Sequence, residues 1–291
     1  MWCWCSVARA GYPERVELPF LKMHGAANDF VVLDRLGSKA PQPSAEQMRQ
    51  WCDRRRGIGA DGVLLLESDP ELDFRMRYFN ADGGSAEYCG NGARCLACLA
   101  LELGLGRGGE VRFRTDIGVQ SARQVAEHRY EVRFGRVARP ERREDLAAAG
   151  RRFSGWWVQA GVPHLVIEVD RVSEVPVREW GAALRAHPQF GAEGANVDFV
   201  ERRGVSHVAM RTFERGVEGE TLACGSGAIA CGITRAMSGD RSPVTVTTAG
   251  GDDLRVTWQA TDEDYEVGLE GPAEIAFTGR LRVSSAVPLV R

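Results

Sequence analysis

Apolar residues in this chain recur mostly at alternate positions or in short continuous runs, the two patterns that are typical of β-strands. The predicted strands cover residues 18–34, interrupted by a polar turn at 24–29, and then 63–67, 74–79, 111–114, 119–126, 130–134, 156–160, 165–169, 197–201, 208–213, 244–248, 254–258, 265–269 and 273–282. Helical spacing is confined to residues 44–56, 93–103, 177–186 and 228–237. Strands therefore outnumber helices without a strict β-α-β alternation, which favours an α+β fold over a Rossmann fold.

One short phrase occurs twice in the sequence, and each copy is centred on a cysteine. Residues 89–93 read Cys-Gly-Asn-Gly-Ala and residues 224–228 read Cys-Gly-Ser-Gly-Ala, and both lead into a predicted apolar helix. The similarity extends upstream to Met-Arg-Tyr-Phe-Asn at 76–80 and Met-Arg-Thr-Phe-Glu at 210–214. A repeat over such a distance predicts two halves of like construction, each with one thiol at the start of a helix.

We therefore expect two pseudo-symmetric halves, each a mostly antiparallel sheet wrapped around one central helix. The N-terminal half is predicted to span residues 1–134 and to carry Cys89, and the C-terminal half to span residues 135–269 and to carry Cys224. The last strand, within residues 270–291, is expected to return to the N-terminal half. The stretch 136–152 is rich in arginine and contains a proline, and it is interpreted as the crossover between the halves.

The composition and charge exclude some function classes. A hydrophobic fraction of 44%, a charged fraction of 26% and a formal net charge of -3 are ordinary for a globular protein and predict neither a nucleic-acid nor a membrane partner. Lys22 and Lys39 are the only lysines. A pyridoxal-phosphate enzyme needs a lysine for its Schiff base, and neither lysine lies in a phosphate-binding context. No cofactor is therefore expected.

The cysteine content and the N-terminus bear on the compartment. Eight cysteines are too few for a disulfide scaffold in 291 residues, so we expect reduced thiols and a cytoplasmic location. Residues 1–17 lack the positive segment and apolar core of a secretory signal, and no run approaches the roughly 18 apolar residues of a membrane span. Residues 1–17 are interpreted as a dispensable extension or the product of a misassigned start codon.

A cysteine at the start of a helix is suited to proton transfer at the α-carbon of an amino acid. The free N–H groups and the macrodipole at a helix N-terminus stabilise negative charge on a substrate carboxylate. The same position lowers the pKa of a thiol, so a thiolate at neutral pH is expected. One thiolate and one thiol on opposite faces of a carbon would invert its configuration. Cys89 and Cys224 are therefore the predicted catalytic pair.

The other cysteines have simpler interpretations. Cys95 and Cys98 are spaced as C-x-x-C, but they lie inside the apolar helix without a second pair nearby, so no metal site is expected. Cys231 is interpreted as a core residue. A redox or metal-binding module that uses the cysteines is an alternative from a different class, and it predicts a stoichiometric metal or a stable disulfide.

From Phe20 onward, the order of the motifs resembles that of the diaminopimelate epimerase family. The matching motifs are residues 22–25 with 28–30, 57–62, 79–83, the Cys89 loop, 163–164, 195–199, 214–216, 219–221 and the Cys224 loop. The resemblance implies that family's fold, a homodimer, and a pyridoxal-independent conversion of L,L-diaminopimelate to the meso form in lysine and peptidoglycan synthesis.

The resemblance also implies a role for each matching residue. Cys89 and Cys224 match the base and acid. The backbone amides that match the cradle of the reacting carboxylate are those of Gly90, Asn91, Gly225 and Ser226. The side chains that match the group holding the far end of the substrate are those of Asn28, Asn80, Asn196 and Arg215. Glu214 matches the acceptor for an ammonium group, and in the family it lies with His164 close to the thiols.

The sequence departs from the family pattern at three places. Val162 stands where the family commonly has an asparagine before Pro-His, Ala27 stands where glycine is usual, and one extra residue separates motifs 214–216 and 219–221. Val162 leaves open a racemase or epimerase of proline, hydroxyproline or histidine on the same fold. Retention of Asn80, Asn196 and Arg215 favours diaminopimelate.

Overall fold

The computed structural model describes residues 15–86 and 88–284. This part of the chain contains eighteen strands and four α-helices. The strands are β1 Arg15–Gly25, β2 Asn28–Arg35, β3 Gly62–Glu67, β4 Phe74–Asn80, β5 Ser85–Ala86, β6 Glu110–Thr115, β7 Gly118–Ala126, β8 Arg129–Ala138, β9 Glu141–Ala148, β10 Arg151–Ala160, β11 Val162–Glu168, β12 Asn196–Gly204, β13 His207–Glu214, β14 Gly219–Thr221, β15 Val244–Thr247, β16 Asp253–Ala260, β17 Asp264–Pro272 and β18 Glu274–Ser284. The α-helices are α1 Ala45–Cys52, α2 Gly90–Glu102, α3 Val177–Arg185 and α4 Gly225–Met237, and two short 3₁₀ turns cover Val172–Glu174 and Pro188–Phe190.

The first sheet region encloses α2. Its strands are paired in the order β18-β1-β2-β3-β4-β6-β7-β8; the pairs β2–β3 and β4–β6 are parallel and the others are antiparallel. The short β5 pairs with β4. Helix α2 packs against strands along this whole series, and its residues 91–100 are all buried. A helix enclosed in this way must be apolar on nearly all faces, which explains the continuous apolar run in the sequence.

The second sheet region repeats this plan around α4. Its strands are paired in the order β9-β10-β11-β12-β13-β15-β16-β17, again with two parallel pairs, β11–β12 and β13–β15. Strand β17 pairs with β8 and joins the two regions. Strand β18 lies beside β1 as β9 lies beside β10. The predicted α+β fold of two like units, each with a sheet around a helix, is confirmed, whereas the predicted domain boundaries stay a prediction.

Residues 136–152 differ from their predicted irregular crossover. They pass from the first unit to the second as strands, because β8 extends to Ala138, β9 covers Glu141–Ala148 and β10 begins at Arg151. Val137 and Leu146 are buried among mostly exposed charged neighbours. The arginine-rich composition therefore marks the polar outer face of a sheet rather than a loop.

The first described residues and the end of helix α1 also differ from their predictions. Residues 1–14 lie outside the described residues, but Arg15, Val16 and Glu17 pair with β18 and so belong to the sheet rather than to a dispensable extension. Helix α1 starts after Ser44, whose capping box with Gln47 fits the predicted start. It ends at Cys52, before the predicted end at residue 56, because the following residue has an extended backbone.

A strained turn connects β1 to β2. Both of its residues, Ala26 and Ala27, have positive φ angles, of 54° and 61°. This left-handed conformation matches the twist of a hairpin but costs an L-residue about 1–2 kcal/mol. The methyl group of Ala26 is fully buried, whereas Ala27 is exposed. The strain at Ala27 is therefore not offset by packing of its side chain in the core.

We expect the substitution Ala27→Gly to raise the free energy of unfolding by roughly 0.5–1 kcal/mol, because relief of strain exceeds the greater freedom of glycine in the unfolded chain. Urea denaturation with an unchanged m-value would measure this gain. Ala26→Gly is the matched control, and it should gain less because it also removes a buried methyl group. A loss of stability in Ala27→Gly would contradict the assignment of strain.

Candidate active site

Each central helix begins at one of the two repeated cysteines. Cys89 is the N-cap of α2 with φ −144° and ψ 115°, and Cys224 is the N-cap of α4 with φ −124° and ψ 111°. In each loop the sulfur accepts a hydrogen bond from the backbone N–H three residues after the cysteine. The donor is Gly92 N–H at 3.5 Å in the first loop and Gly227 N–H at 3.4 Å in the second. The repeat in the sequence is thus a repeat in cap geometry, which brings both thiols to helix N-termini.

The two helix N-termini lie against each other. Helices α2 and α4 are in contact, and a β-carbon placed on Gly225 would lie only 3.8 Å from Asn91 Oδ1. Gly90 and Gly225 open their helices, so their N–H groups have no carbonyl partner within the helix. The structure therefore brings the two cysteine loops together at the seam between the two sheet regions, with helix N–H groups from both sides.

Polar side chains from β2, from the residue before β3 and from α2 form a connected group next to Cys89. Asn28 Oδ1 lies 3.6 Å from Cys89 Sγ, within reach of the thiol proton, and it accepts a hydrogen bond from Asn91 Nδ2 at 3.1 Å. Asn28 Nδ2 in turn donates to Asp61 Oδ2 at 2.7 Å. On its other side, Asn91 Oδ1 accepts from the Arg94 guanidinium at 2.7 Å. Cys89, which is half-buried, therefore lies at the end of a connected polar chain.

A different chain of hydrogen bonds leads to Cys224. The Asp198 carboxylate accepts from His164 Nδ1 at 2.7 Å and from the Thr212 hydroxyl at 2.7 Å, and both His164 and Asp198 are fully buried. Because a carboxylate only accepts, His164 Nδ1 carries a proton, and Nε2 of the neutral imidazole is left to accept. Nε2 lies 3.0 Å from Ser226 Oγ, which lies 3.5 Å from Cys224 Sγ. The arrangement has the logic of a catalytic triad, extended by one hydroxyl.

The remaining polar residues of the predicted site lie at strand ends in the two regions. Asn28 begins β2 and Asn80 ends β4, while Asn196 begins β12 and Glu214 ends β13. Val162 begins β11 and is therefore the structural counterpart of Asn28. The strand ends thus bring these residues to the same side as the helix N-termini.

Asn196, Glu214 and Arg215 each contact a neighbouring residue in the second region. Asn196 Oδ1 accepts from the Arg215 backbone N–H at 2.7 Å, and Asn196 Nδ2 lies 3.3 Å from His164 Nε2. Glu214 Oε2 accepts from the Thr221 hydroxyl at 2.8 Å. The Arg215 guanidinium lies 3.6 Å from the carboxylate of Glu193. Asn80, by contrast, is exposed at the end of its strand.

Two residues near the thiols, Asp198 and Arg94, are not among the residues predicted from the sequence. Asp198 lies two positions after Asn196 on a strand, so alternation alone places both on one face. Arg94 is a charged residue inside an apolar helical run, which is itself a signal. Both signals require knowledge of which elements enclose the residue before they indicate a role.

The ionisation of the thiols differs from the expected thiolate. Burial raises the pKa of the Cys89 thiol, although the N–H groups of Gly92 and Asn91 and the charge of Arg94 lower it. Burial raises the pKa of the Cys224 thiol well above its ordinary value, and the carboxylates of Glu214 and Asp198 raise it further. The prediction of a lowered pKa was wrong for the substrate-free protein, because desolvation outweighs the helix N-terminus.

This ionisation determines the expected pH dependence. A thiol whose pKa is raised keeps its proton at neutral pH, so the fraction of the reactive thiolate grows as the pH rises. We expect kcat/KM to increase about tenfold per pH unit on its acid limb through neutral pH, and to fall again once the second thiol also ionises. Initial rates measured from pH 6 to 10 provide the test. A flat profile between pH 6 and 8 would contradict the raised pKa values.

The other described cysteines are buried away from the two helix N-termini and form no metal site with neighbouring residues. Cys52, Cys95, Cys98 and Cys231 are buried and free, whereas Cys3 and Cys5 lie outside the described residues. Within residues 15–86 and 88–284, no three His, Cys, Asp or Glu side chains are grouped as metal ligands. No helix in this part of the chain is long and apolar enough to cross a membrane.

Comparison with known proteins gives a consistent family. The model of the family described as diaminopimelate epimerase matches residues 20–139 and 156–275. The chain is 38% identical to the diaminopimelate epimerase of Aquifex aeolicus, over 91% of this chain and 98% of the relative, and 37% identical to that of Aromatoleum aromaticum, over 92% and 100%. Among solved structures, a probable proline racemase from Agrobacterium radiobacter has a similar fold, with a TM-score of 0.68 and 16% identity over 93% of this chain and 94% of that chain.

Proposed function

The chain belongs to the diaminopimelate epimerase family, and we propose that it inverts one α-carbon of L,L-diaminopimelate with the thiols of Cys89 and Cys224. Its activity is the epimerisation of diaminopimelate, an isomerase reaction of lysine biosynthesis. The observation that supports the mechanism is the contact between two helix N-termini that are each capped by a cysteine. A substrate α-carbon between them would face one sulfur on each side.

The reaction divides into two proton transfers. One sulfur, as thiolate, takes the α-proton, so that the C–H bond breaks and an S–H bond forms. The electron pair is delocalised into the substrate carboxylate, whose charge the N–H groups at the two helix starts stabilise. The other thiol gives its proton to the opposite face, so that its S–H bond breaks and a C–H bond forms with inverted configuration. The two sulfurs exchange roles in the reverse direction.

The polar residues divide between the two ends of the substrate in this proposal. The N–H groups of Gly90, Asn91, Gly225 and Ser226 hold the reacting carboxylate. Glu214 accepts a hydrogen bond from an ammonium group. Asn28, Asn80, Asn196 and Arg215 hold the distal end of the substrate. The planar fork of Arg215 is suited to a carboxylate, and its half-buried side chain has only an exposed glutamate as ionic partner in the described residues.

The chain through Ser226 supports an assignment for His164. With Asp198 on Nδ1, the imidazole Nε2 is able to accept the proton that Cys224 passes to the Ser226 hydroxyl. We propose that His164 restores the protonation state of Cys224 between turnovers, since Cys224 itself is buried away from water.

Chiral chromatography of the products tests the proposed specificity. The enzyme should convert L,L-diaminopimelate to the meso form with a kcat/KM at least about 10³-fold above the values for proline, hydroxyproline and histidine, because polar groups built for the distal end stay unpaired with those substrates. A higher kcat/KM for one of these amino acids would instead support the alternative that Val162 leaves open.

Three further properties are proposed on the family resemblance alone. We propose that the protein is a homodimer in the cytoplasm and that its product also serves peptidoglycan synthesis. Sedimentation equilibrium would test the dimer, and a mass equal to a single chain at micromolar concentration would contradict it.

A further inference from the structure

Arg94 is a fully buried charge without an ionic partner in the described part of the chain. Its exposed fraction is 0%, and no carboxylate of residues 15–86 and 88–284 lies within ion-pair distance. Nη2 donates to Asn91 Oδ1 at 2.7 Å and Nε donates to the Pro272 carbonyl at 3.3 Å, while Nη1 has no hydrogen-bond partner there. An isolated buried cation is costly, so its presence in a helix core requires a reason.

The pseudo-equivalent helix shows that the fold itself does not require this charge. Arg94 is the fifth residue after Cys89, and the fifth residue after Cys224 is Ile229, which is fully buried in an apolar core. The guanidinium packs against Gly271, where a side chain would not fit. A β-carbon on Gly271 would lie 3.0 Å from Arg94 Cζ and Nε. The cation is therefore particular to the helix that begins at Cys89.

The charge of Arg94 sets the direction of every hydrogen bond on the path to Cys89. A guanidinium only donates, so the Asn91 oxygen must face Arg94 and the Asn91 amide N–H must face Asn28. The Asn28 oxygen then faces both Asn91 and Cys89, and the Asn28 amide donates to Asp61. The path thus runs from a cation in the core to a carboxylate at the surface. The side-chain amides of Asn91 and Asn28 are each fixed in one orientation, because a flip would place two donors or two acceptors together.

We propose that Arg94 is a positioning residue for Cys89: through Asn91 it fixes the first turn of α2, and it supplies from the core the positive charge that faces the anion formed there. This inference rests on the proposed function of Cys89. It makes the two thiols unequal, because the Cys89 loop has a cation behind it whereas the Cys224 loop has the carboxylate of Asp198, and Glu214 opposes the ionisation of both thiols.

The other titratable groups near this pair do not replace Arg94. Tyr78, Tyr88 and Cys95 also lie close, but burial raises the pKa of all three groups far into the alkaline range, so they are neutral. Glu214 opposes ionisation of Cys89, and Arg129 acts on Arg94 as a like charge. Among these groups, only Arg94 favours the anion at Cys89.

The test is the pH dependence of alkylation at each cysteine, measured with iodoacetamide and peptide mass spectrometry on the whole protein without substrate. In Arg94→Met, the midpoint for Cys89 should rise by about one pH unit, a tenfold change in acidity, while the midpoint for Cys224 stays unchanged. Ile229→Met is the matched control at the equivalent helix position, and it should move neither midpoint. An unchanged Cys89 midpoint in Arg94→Met, or an equal rise at both cysteines, would overturn the proposal.

Two further measurements keep the proposal testable if Arg94→Met does not fold. Arg94→Lys retains the charge, so its Cys89 midpoint should stay close to that of the parent while its kcat falls, since a lysine lacks the planar fork. In the parent itself, Cys89 should have the lower midpoint of the two thiols, and equal or reversed midpoints would contradict the proposal. Alkylation needs no substrate, so failure to epimerise diaminopimelate would refute the proposed function and leave this result intact.

Discussion

Replacing either Cys89 or Cys224 by alanine is expected to lower kcat for epimerisation by at least about 10³-fold. Each thiol faces a different side of the proposed substrate position, so the remaining sulfur cannot both remove and return a proton with inversion. The double variant should be little worse than either single variant, because the two groups act as one unit. Measured kcat values for the three variants give the test.

The chain offers matched cysteine controls for this experiment. Cys95 and Cys231 lie on the same two helices, fully buried within the apolar cores. Cys95→Ala and Cys231→Ala remove a thiol from each helix without touching its N-terminus, so they should reduce stability but leave kcat within about threefold of the parent. Retention of more than about a tenth of the parent kcat in Cys89→Ala or Cys224→Ala would contradict the assignment of that thiol.

The second large effect is expected from Asp198→Asn. The carboxylate accepts from His164 Nδ1 and so leaves Nε2 free to accept from Ser226. An amide at this position is able to donate to Nδ1, which would favour the wrong imidazole tautomer and break the path to Cys224. We expect kcat to fall by about 10²- to 10⁴-fold with a smaller change in KM.

Thr212→Val is the control for this substitution. The Thr212 hydroxyl donates to the other oxygen of Asp198, so its removal disturbs the same buried carboxylate and leaves the bond to His164 in place. It should cost stability but lower kcat less than about tenfold. If Asp198→Asn retains kcat within threefold of the parent, the path from Cys224 to His164 has no part in turnover.

Much of the fold could be predicted because it depends on local periodicity and on an internal repeat. Alternation and short apolar runs identified all the described strands except β5, β9 and β14, and the continuous apolar runs behind Cys89 and Cys224 identified the two enclosed helices. The helices begin at Gly90 and Gly225, three residues before the predicted starts, because the cysteine itself is the N-cap. Strand β9 was missed because its arginines and glutamates resemble a polar linker until the sheet that they face is known.

The site was predictable only as far as its motifs are contiguous. The two cysteine loops are read directly from sequence, but the role of Asp198 depends on a contact with His164 between different strands. The raised pKa of both thiols depends on burial, which no local pattern reports. The unpaired charge of Arg94 depends on the elements that enclose α2. The sequence therefore indicates the reacting groups, whereas their burial, their pKa values and the charges next to them depend on the tertiary structure.

Solvent deuterium labelling distinguishes two thiols on opposite faces of one carbon from a single group that transfers the proton on one face. In D2O, L,L-diaminopimelate should give meso product that carries one deuteron at the inverted carbon, while substrate recovered early in the reaction carries none, because the incoming hydron comes from the second thiol. Product that retains the original hydrogen at the inverted carbon would show transfer by a single group and would rule out proton transfer by two thiols.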